Sequence, residues 1–341
     1  MTYLFDRVCH FLQGVSMTVQ ITIIGLGQIG TSIGLALGKY SDRVSRVGYD
    51  RVLETQNKAK ARGAVDTVKF NLSSAIEGAD LVLLCIPLDQ VENTIELIAP
   101  DLRQDAVLID FSPQKSYSFK AFSAHVQPGR HYIGIVPSIN PQYLNQAETG
   151  SESASADLFQ KATLGISAPT GTSAEALKLA ADLAELLGAQ PLFLDMLEAD
   201  GMELTAHLLP QIIAAGILNA TAGQPGWTET RRFAGRPFNQ SISALGADTQ
   251  DGLVQALMQN PAITASILDN VIGALTHIRV AVANNNQEDL HNRLTLAFED
   301  RDTWLSNRLN ADWDEKAKQE APKSSDLFRR IFMGDRRKDK K

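Results

Sequence analysis

Hydrophobic and polar positions follow two different patterns along the chain. From Gln20 to about Leu194, short apolar runs alternate with segments whose apolar residues recur at helical spacing. This alternation predicts a parallel β-sheet covered by helices on both faces. The predicted strands are Ile21–Ile24, Val44–Tyr49, Leu81–Ile86, Ala106–Asp110, Tyr132–Val136, Leu164–Ala168 and Pro191–Leu194. The predicted helices between them are Ile29–Tyr40, Leu53–Arg62, Val91–Ala99, Tyr117–His125 and Ala174–Leu187.

After Asp195 the pattern becomes helical throughout, with no convincing strand. The helices predicted there are Glu198–Gly216, Asp251–Asn260, Ala262–Asn285 and Glu288–Leu309. The fold class is therefore α/β, a doubly wound parallel sheet followed by an all-α domain. We divide the chain into residues 17–195 for the sheet domain and 196–310 for the helical domain.

The two ends of the chain are expected to lie outside these two domains. Because residues 17–20 lead straight into the first strand, we expect residues 1–16 to be an extension outside the fold, with a short docking helix as the alternative. Residues 311–341 contain a run of Arg and Lys, and we expect a solvated, disordered basic tail. A basic amphipathic docking segment around 327–332 is the alternative.

Length, composition and charge indicate a class of protein and argue against several kinds of partner. The 341 residues allow two domains, and 44% hydrophobic with 21% charged residues is ordinary for a soluble protein. A net charge of −7 argues against nucleic acid or an anionic membrane as the main partner. Cys9 and Cys85 are far apart in sequence, so no disulfide framework or metal cluster is implied. No apolar run approaches the roughly 20 residues of a membrane span, and we expect a cytoplasmic protein.

The first strand leads into a glycine motif that carries chemistry. Gly25 permits a tight turn, Gly27 lets the backbone approach a pyrophosphate, and Gly30 lets the next helix pack closely. The pyrophosphate would rest on the helix N-terminus, where free N–H groups and the helix dipole favour an anion. The predicted cofactor-binding run is Gly25-Leu26-Gly27-Gln28-Ile29-Gly30.

An acidic residue follows this motif at the distance that a dinucleotide site requires. Asp50 ends the second strand, twenty residues after Gly30, where a carboxylate accepts hydrogen bonds from the adenosine ribose. NAD is therefore favoured, while the neighbouring Arg51 leaves NADP open. Glycine-rich turns also recur for structural reasons alone, but here the strand, helix and acid together predict a Rossmann-type NAD(P)-binding domain.

Several further motifs resemble the prephenate and arogenate dehydrogenase family. They extend from about residue 20 to residue 310 with small offsets. The motifs are Leu81 to Leu88 before a helix, Val107 to Asp110 with Lys115 after it, Tyr132-Ile133-Gly134 with Pro137, Ala156 to Phe159, Glu198-Ala199-Asp200, Ala206-His207-Leu208, Gly226-Trp227 with Glu229-Thr230, and Arg232-Phe233-Ala234.

The resemblance implies a reaction and a set of residues. Members of this family oxidise a 4-hydroxycyclohexadiene ring by hydride transfer to a nicotinamide, with loss of a ring carboxylate, in tyrosine biosynthesis. It implies that Ile86 and Pro87 also contact the cofactor. It further implies that His207 and Arg232 bind the small carboxylate substrate, an arginine being a planar bidentate donor. A homodimer through the helical domain follows by the same analogy.

Two positions depart from the family pattern. Where the family has Gly-His-Pro, with a histidine that acts on the 4-hydroxyl, this chain has Val136 before its proline, and valine cannot accept a proton. Where the family has Asp-x-Gly-Ser-x-Lys, Pro113 replaces the serine. The candidate replacements for the missing catalytic group are Ser112, Lys115 and His131, with Ser138 and Asn140 also near in sequence.

These departures leave three functions open. The leading interpretation is an active prephenate or arogenate dehydrogenase. A second is a related dehydrogenase or reductase acting on another small carboxylate or imine, because fold alone does not select the chemistry. A third is a catalytically impaired protein that senses NAD or scaffolds a partner.

Overall fold

The computed structural model describes residues 18–146, 150–246, 248–311 and 313. The chain divides into two compact units, Met1–Ala274 and Leu275–Lys341. The extension predicted for residues 1–16 lies outside the described residues, and so does nearly all of the tail predicted for residues 311–341.

An eight-stranded sheet forms the framework of the first unit. Its order is β3-β2-β1-β4-β5-β6-β7-β8, so the chain moves outward from β1 in one direction and then in the other from β4. This doubly wound, mostly parallel sheet confirms the predicted fold class. The strands are β1 (Val19–Ile24), β2 (Val44–Tyr49), β3 (Thr67–Val68), β4 (Leu81–Leu84), β5 (Val107–Asp110), β6 (His131–Pro137), β7 (Thr163–Ser167) and β8 (Gln190–Leu194).

One strand departs from the parallel sheet that the sequence predicts. β7 runs antiparallel to β6, with Val136 opposite Gly165, whereas β8 is parallel to β7. Parallel neighbours need a crossover connection, usually a helix. The segment between β6 and β7 contains only short 3-10 turns among its described residues, so the chain returns without a crossover and reverses its direction.

The helices of the first unit cover both faces of the sheet and continue into a helical region. Those before β8 are α1 (Gln28–Leu37), α2 (Leu53–Ala61), α3 (Leu72–Ile76), α4 (Val91–Ile98), α5 (Lys115–His125) and α6 (Ala174–Leu186). After β8 come α7 (Met196–Glu203), a π-helical segment (Leu204–Leu208), α8 (Leu209–Thr221), α9 (Trp227–Thr230), α10 (Arg236–Ile242), α11 (Gln250–Met258) and α12 (Pro261–Ala283). The change from alternating to helical structure therefore occurs at Asp195, as predicted.

Alternation along the strands builds two hydrophobic layers. Ile21 and Ile23 of β1 pack in one layer, whereas Ile24 packs in the other. The second layer also contains Leu204 and Leu208 from the π-helical segment. Helix α7 packs on β6 and β7, so the start of the helical region lies directly on the sheet.

The second unit contains the end of α12, residues 275–283, and the last long helix, α13 (Gln287–Asn310). Its N-cap Asn286 accepts a hydrogen bond from the backbone N–H of Asp289 at 3.1 Å, which satisfies one of the free N–H groups at the helix start. Ala311 ends the helix with φ of +51°.

Two segments are long and apolar enough to cross a membrane, although no such run was expected. They are Met196–Thr221, in which 28% of the apolar window is buried, and Pro261–Ala283, in which 6% is buried. Scattered polar side chains interrupt both runs, which is why neither stands out in the sequence. Two such helices are weak evidence for a membrane, because core helices of soluble proteins pass the same test.

Candidate active site

The glycine motif forms a tight turn between β1 and α1. Gly25 has φ of +91°, and a Cβ atom there would collide with the carbonyl oxygen of Cys85. A Cβ atom on Gly30 would collide with the carbonyl oxygen of Gly25. Both positions therefore require glycine, the first for the turn and the second for the close return of α1.

Gly27 plays a different part in the same turn. It is the N-cap residue of α1, and no atom lies within 4 Å of a Cβ built on it. Glycine has no side chain to cap the helix, so the first N–H groups of α1 remain available to an anion. Gln28 opens the helix and reaches the carbonyl oxygen of Ser153 at 3.4 Å, while Ile29 packs against the core. An open cradle at a helix N-terminus fits a pyrophosphate.

Asp50 connects the end of β2 to this turn. Its Oδ2 accepts a hydrogen bond from the backbone N–H of Leu26 at 2.8 Å, and its Oδ1 accepts one from Val52 at 2.8 Å. Each carboxylate oxygen has a second lone pair that can accept from a ribose hydroxyl. Arg51 is exposed beside it. Gln56 is buried and donates to the carbonyl oxygen of Asp50 at 2.5 Å.

The residues after β4 form another wall of the turn. The Ile86 Cγ2 atom lies 2.9 Å from the position of a Cβ on Gly25, so this side chain contacts the glycine turn. Pro87 follows and starts a 3-10 turn over Leu88–Gln90. Helix α11 packs on that turn, where the hydroxyl of Thr249 donates to Asp89 at 2.8 Å. The helical region thus reaches the carboxyl end of β4.

A second, buried polar cluster lies at the carboxyl end of β5. Asp110 is fully buried and accepts hydrogen bonds from the backbone N–H of Ser112 and from the Tyr132 hydroxyl, both at 2.9 Å. Burial raises the pKa of Tyr132, and the negative charge of Asp110 raises it further. The phenol therefore stays protonated and serves as a donor that fixes the loop after β5.

Lys115 extends into this cluster along Gly134 of β6. Its side chain is fully buried, and its Nζ donates to the carbonyl oxygen of Ser112. A Cβ atom on Gly134 of β6 would lie 2.8 Å from the Lys115 Cδ. The missing side chain of Gly134 therefore makes room for the lysine stem. The ammonium group ends 3.5 Å from Oε1 of Glu203, the last residue of α7.

The helix that follows Glu203 contains a π-helical segment directly before a proline. Pro210 has no backbone N–H and cannot continue an α-helical hydrogen-bond ladder. The N–H of Leu209 bonds five residues back, to the carbonyl oxygen of Leu204. This π-helical segment contains His207, whose Nδ1 lies 3.2 Å from Oε2 of Glu203. Single π-helical turns are frequent at functional sites.

The carboxylate of Glu203 is shared between two cationic or potentially cationic groups. Burial raises the pKa of Glu203, and the nearby charges of Lys115 and His207 oppose that shift. One turn later, Gln211 donates to Oδ2 of Asp248 at 2.9 Å, and its own buried Oε1 has no partner among the described residues. The cluster therefore combines an acid, a lysine, a histidine and an unsatisfied amide.

The structure brings some of the sequence candidates together and leaves others apart. Lys115 and Ser112 lie in the buried cluster, and His207 joins it through Glu203. His131 begins β6 at its amino end, about 16 Å along the strand from Val136, so it does not join the cluster. Arg232 lies in an exposed turn after α9.

Glu203 is the residue that the sequence reading missed. It precedes His207 by four positions, and residues at that spacing share one face of a helix. A carboxylate one turn before a histidine on an apolar helix was thus the available signal.

The comparison with known families agrees with this geometry. The sequence profile described as "Prephenate dehydrogenase, nucleotide-binding domain" matches residues 33–192, beginning just after the glycine turn. Over these residues the chain is similar to the prephenate/arogenate dehydrogenase family.

Individual relatives of the family extend over both regions. A cyclohexadienyl dehydrogenase from Zymomonas mobilis is 28% identical over 283 residues, which cover 80% of this chain and 92% of the relative. A prephenate dehydrogenase from Lactococcus lactis is 23% identical, over 79% of this chain and 73% of the relative.

Solved structures share the fold. Prephenate dehydrogenase from Aquifex aeolicus in complex with hydroxyphenyl propionate and NAD+ has a TM-score of 0.71 at 17% identity, covering 85% of this chain and 99% of that one. Synechocystis arogenate dehydrogenase has a TM-score of 0.63 at 23% identity, covering 84% and 100%.

Proposed function

We propose that this protein is an NAD-dependent dehydrogenase of the prephenate/arogenate type. It would oxidise a 4-hydroxycyclohexadiene carboxylate to an aromatic product, with release of the ring carboxylate as carbon dioxide. The observation that carries this proposal is the open, uncapped N-terminus of α1 at Gly27, next to the Asp50 carboxylate, in a chain similar to this family.

The residues of the first unit fit NAD. The N–H groups at the start of α1 would hold the pyrophosphate, and Asp50 would accept from the adenosine ribose. Bound there, NAD supplies the acceptor for the hydride. Arg51, exposed next to Asp50, is the residue through which NADP would be accommodated. The complex of the Aquifex relative with NAD+ supports NAD as the cofactor.

Substrate recognition needs cations, because the substrate carries carboxylates. Arg232 lies in an exposed turn, where its guanidinium is free to bind a carboxylate with two parallel hydrogen bonds. His207 presents a side chain that is 42% exposed. We assign both to substrate binding, as the family resemblance implies, and we place the protein in the cytoplasm as a homodimer.

Turnover tests this proposal directly. Purified protein is mixed with NAD or NADP and with prephenate or arogenate, and absorbance is followed at 340 nm. The variant Val136→His, which restores the family's histidine, is measured in parallel. We expect the unaltered protein to reduce NAD with one of the two substrates, and to prefer NAD to NADP.

The outcomes separate the proposed function from its two alternatives. Failure of both proteins to turn over, while calorimetry still detects bound NAD, contradicts the proposal and favours a different substrate or an NAD sensor. A control variant, Asp50→Asn, removes the charge but keeps an amide oxygen that can accept from the buried N–H of Leu26, so it should weaken NAD binding without unfolding the protein. Equal binding by this variant would contradict the cofactor assignment.

A further inference from the structure

Glu203 and His207 form a carboxylate–histidine pair whose two members differ in exposure. The Glu203 side chain is 3% exposed, whereas that of His207 is 42% exposed, and the pair is joined at 3.2 Å through Nδ1. The other imidazole nitrogen, Nε2, lies on the edge of the ring away from Glu203. A buried carboxylate on one side and an accessible ring on the other is the arrangement of an oriented base.

We propose that His207 is the general base of the reaction and that Glu203 is its positioning residue. This role rests on the function proposed above. In this role, Nε2 of His207 would take the proton of the substrate 4-hydroxyl as the hydride passes from the same carbon to the nicotinamide of bound NAD. The carbon–carboxylate bond then breaks, its electron pair passes into the ring, carbon dioxide departs, and the proton returns from His207 to the ring oxygen. The substrate is oxidised by two electrons, and no net proton is released.

Glu203 has two effects on the ring. Its carboxylate accepts from Nδ1–H, which fixes the tautomer whose Nε2 carries the lone pair. It also stabilises the imidazolium that forms when Nε2 takes the proton. Lys115, 3.5 Å from the other carboxylate oxygen, favours the ionised form of Glu203 in spite of burial.

The position of the pair in the fold is consistent with this role. Ligands of open α/β sheets bind in the crevice outside the carboxyl ends of the strands. Lys115 follows the carboxyl end of β5, and its stem crosses Gly134 of β6, two residues before Val136. Glu203 therefore lies near the strand end at which the family's histidine is expected and this chain has valine.

Other charged groups surround the pair and will contribute to its pH behaviour. The titratable residues of α7 are Glu198, Asp200 and Glu203. The elements packed against α7 and the π-helical segment add Lys115, Tyr117, Lys120 and His125 of α5, His131 and Tyr132 of β6, and Asp251 of α11, with Asp248 just before α11. Among these, burial raises the pKa of Asp200 against the hydrogen bonds that it accepts from Ser116.

The first test separates a base from a binding group. In His207→Ala we expect kcat to fall about 10²- to 10⁴-fold, and added imidazole to restore part of it. If His207 only binds substrate, its removal would raise KM and leave kcat unchanged. That result would overturn the proposal. His291→Ala, an exposed histidine on α13, is the matched control and should keep kcat.

The second test has a readout that needs neither substrate nor cofactor. In the ¹⁵N spectrum of histidine-labelled protein we expect His207 as the Nδ1–H tautomer, and in Glu203→Gln a mixture of tautomers with kcat lowered about 10- to 100-fold. Glu198→Gln, exposed on the same helix, should match the unaltered protein. An unchanged spectrum and kcat in Glu203→Gln would overturn the pairing. If the unaltered protein turns over neither substrate, the proposed function itself fails.

Discussion

At the scale of single residues, the absence of a side chain at Gly134 makes room for the buried side chain of Lys115. A methyl group there would lie 2.8 Å from the Lys115 Cδ and 2.8 Å from the Ser167 Oγ. In Gly134→Ala the lysine stem and the Ser167 hydroxyl must shift, which disturbs the contacts of the lysine ammonium. We expect the free energy of unfolding to fall by about 1–3 kcal/mol, measured by urea denaturation, and kcat to fall with it.

The control for this change is another glycine. Nothing lies within 4 Å of a Cβ built on Gly201 of α7, so Gly201→Ala should keep or raise stability, because alanine favours a helix. A Gly134→Ala protein as stable and as active as the parent would show that Lys115 does not need this space.

Sequence predicted one half of the site better than the other for a physical reason. The dinucleotide turn is local, because Gly25, Gly27 and Gly30 act within six residues and Asp50 ends the adjacent strand. The buried cluster joins Lys115 to Glu203, which are 88 positions apart, and only the packing of α7 on the sheet brings them together. Neither residue type nor spacing along the chain indicates such a contact.

At the scale of secondary-structure elements, Arg46 connects β2 to α1 and to the turn before β3. Its guanidinium donates to the carbonyl oxygens of Gly34 at 2.8 Å and Gly63 at 3.0 Å, and it pairs with Asp66 at 2.5 Å. Burial alone would raise the pKa of Asp66, but hydrogen bonds from Arg46 outweigh burial and hold that pKa below its usual range.

This ion pair predicts a pH-dependent contribution to stability. Because the folded-state pKa of Asp66 is lowered, its stabilisation is present above the ordinary aspartate range and is lost as the pH falls through the folded value. We expect Asp66→Asn to lower the free energy of unfolding by about 1 kcal/mol at pH 7, a modest value because Asp66 is partly exposed.

Urea denaturation at pH 7 and near pH 3 checks this expectation, and the difference between the two proteins should shrink at the lower pH. Asp42→Asn removes an exposed carboxylate beside Arg43 and is the matched control, expected to change stability little at either pH. A constant difference across the pH range would contradict an ionic origin.

The sequence predicted the order of the strands along the chain, but not the direction of every strand. The alternation of apolar runs located seven of the eight strands, and only the two-residue β3 was missed, because so short a strand has no periodicity. The reversal of β7 and the π-helical segment were not predicted. The first depends on how the chain returns between strands, and the second is a local change in hydrogen bonding next to Pro210.

At the scale of the whole molecule, α12 bears on the proposed homodimer. It is apolar round much of its circumference, yet only 6% of its apolar window is buried, and Ile272 and Leu275 are each 59% exposed. Exposed apolar surface of this extent marks an interaction site. We expect the unaltered protein to sediment at twice the chain mass in analytical ultracentrifugation.

A charge on this helix tests whether α12 forms the contact. Ile272→Glu places a carboxylate among apolar side chains and should shift the equilibrium toward monomer, because burying an unpaired charge opposes association. Asn270→Glu adds the same charge about 200° away round the helix and is the matched control, expected to remain dimeric. A monodisperse monomer in the unaltered protein would contradict the dimer. Stable partition of the purified protein into lipid vesicles would instead assign the apolar surface of α12 to a membrane.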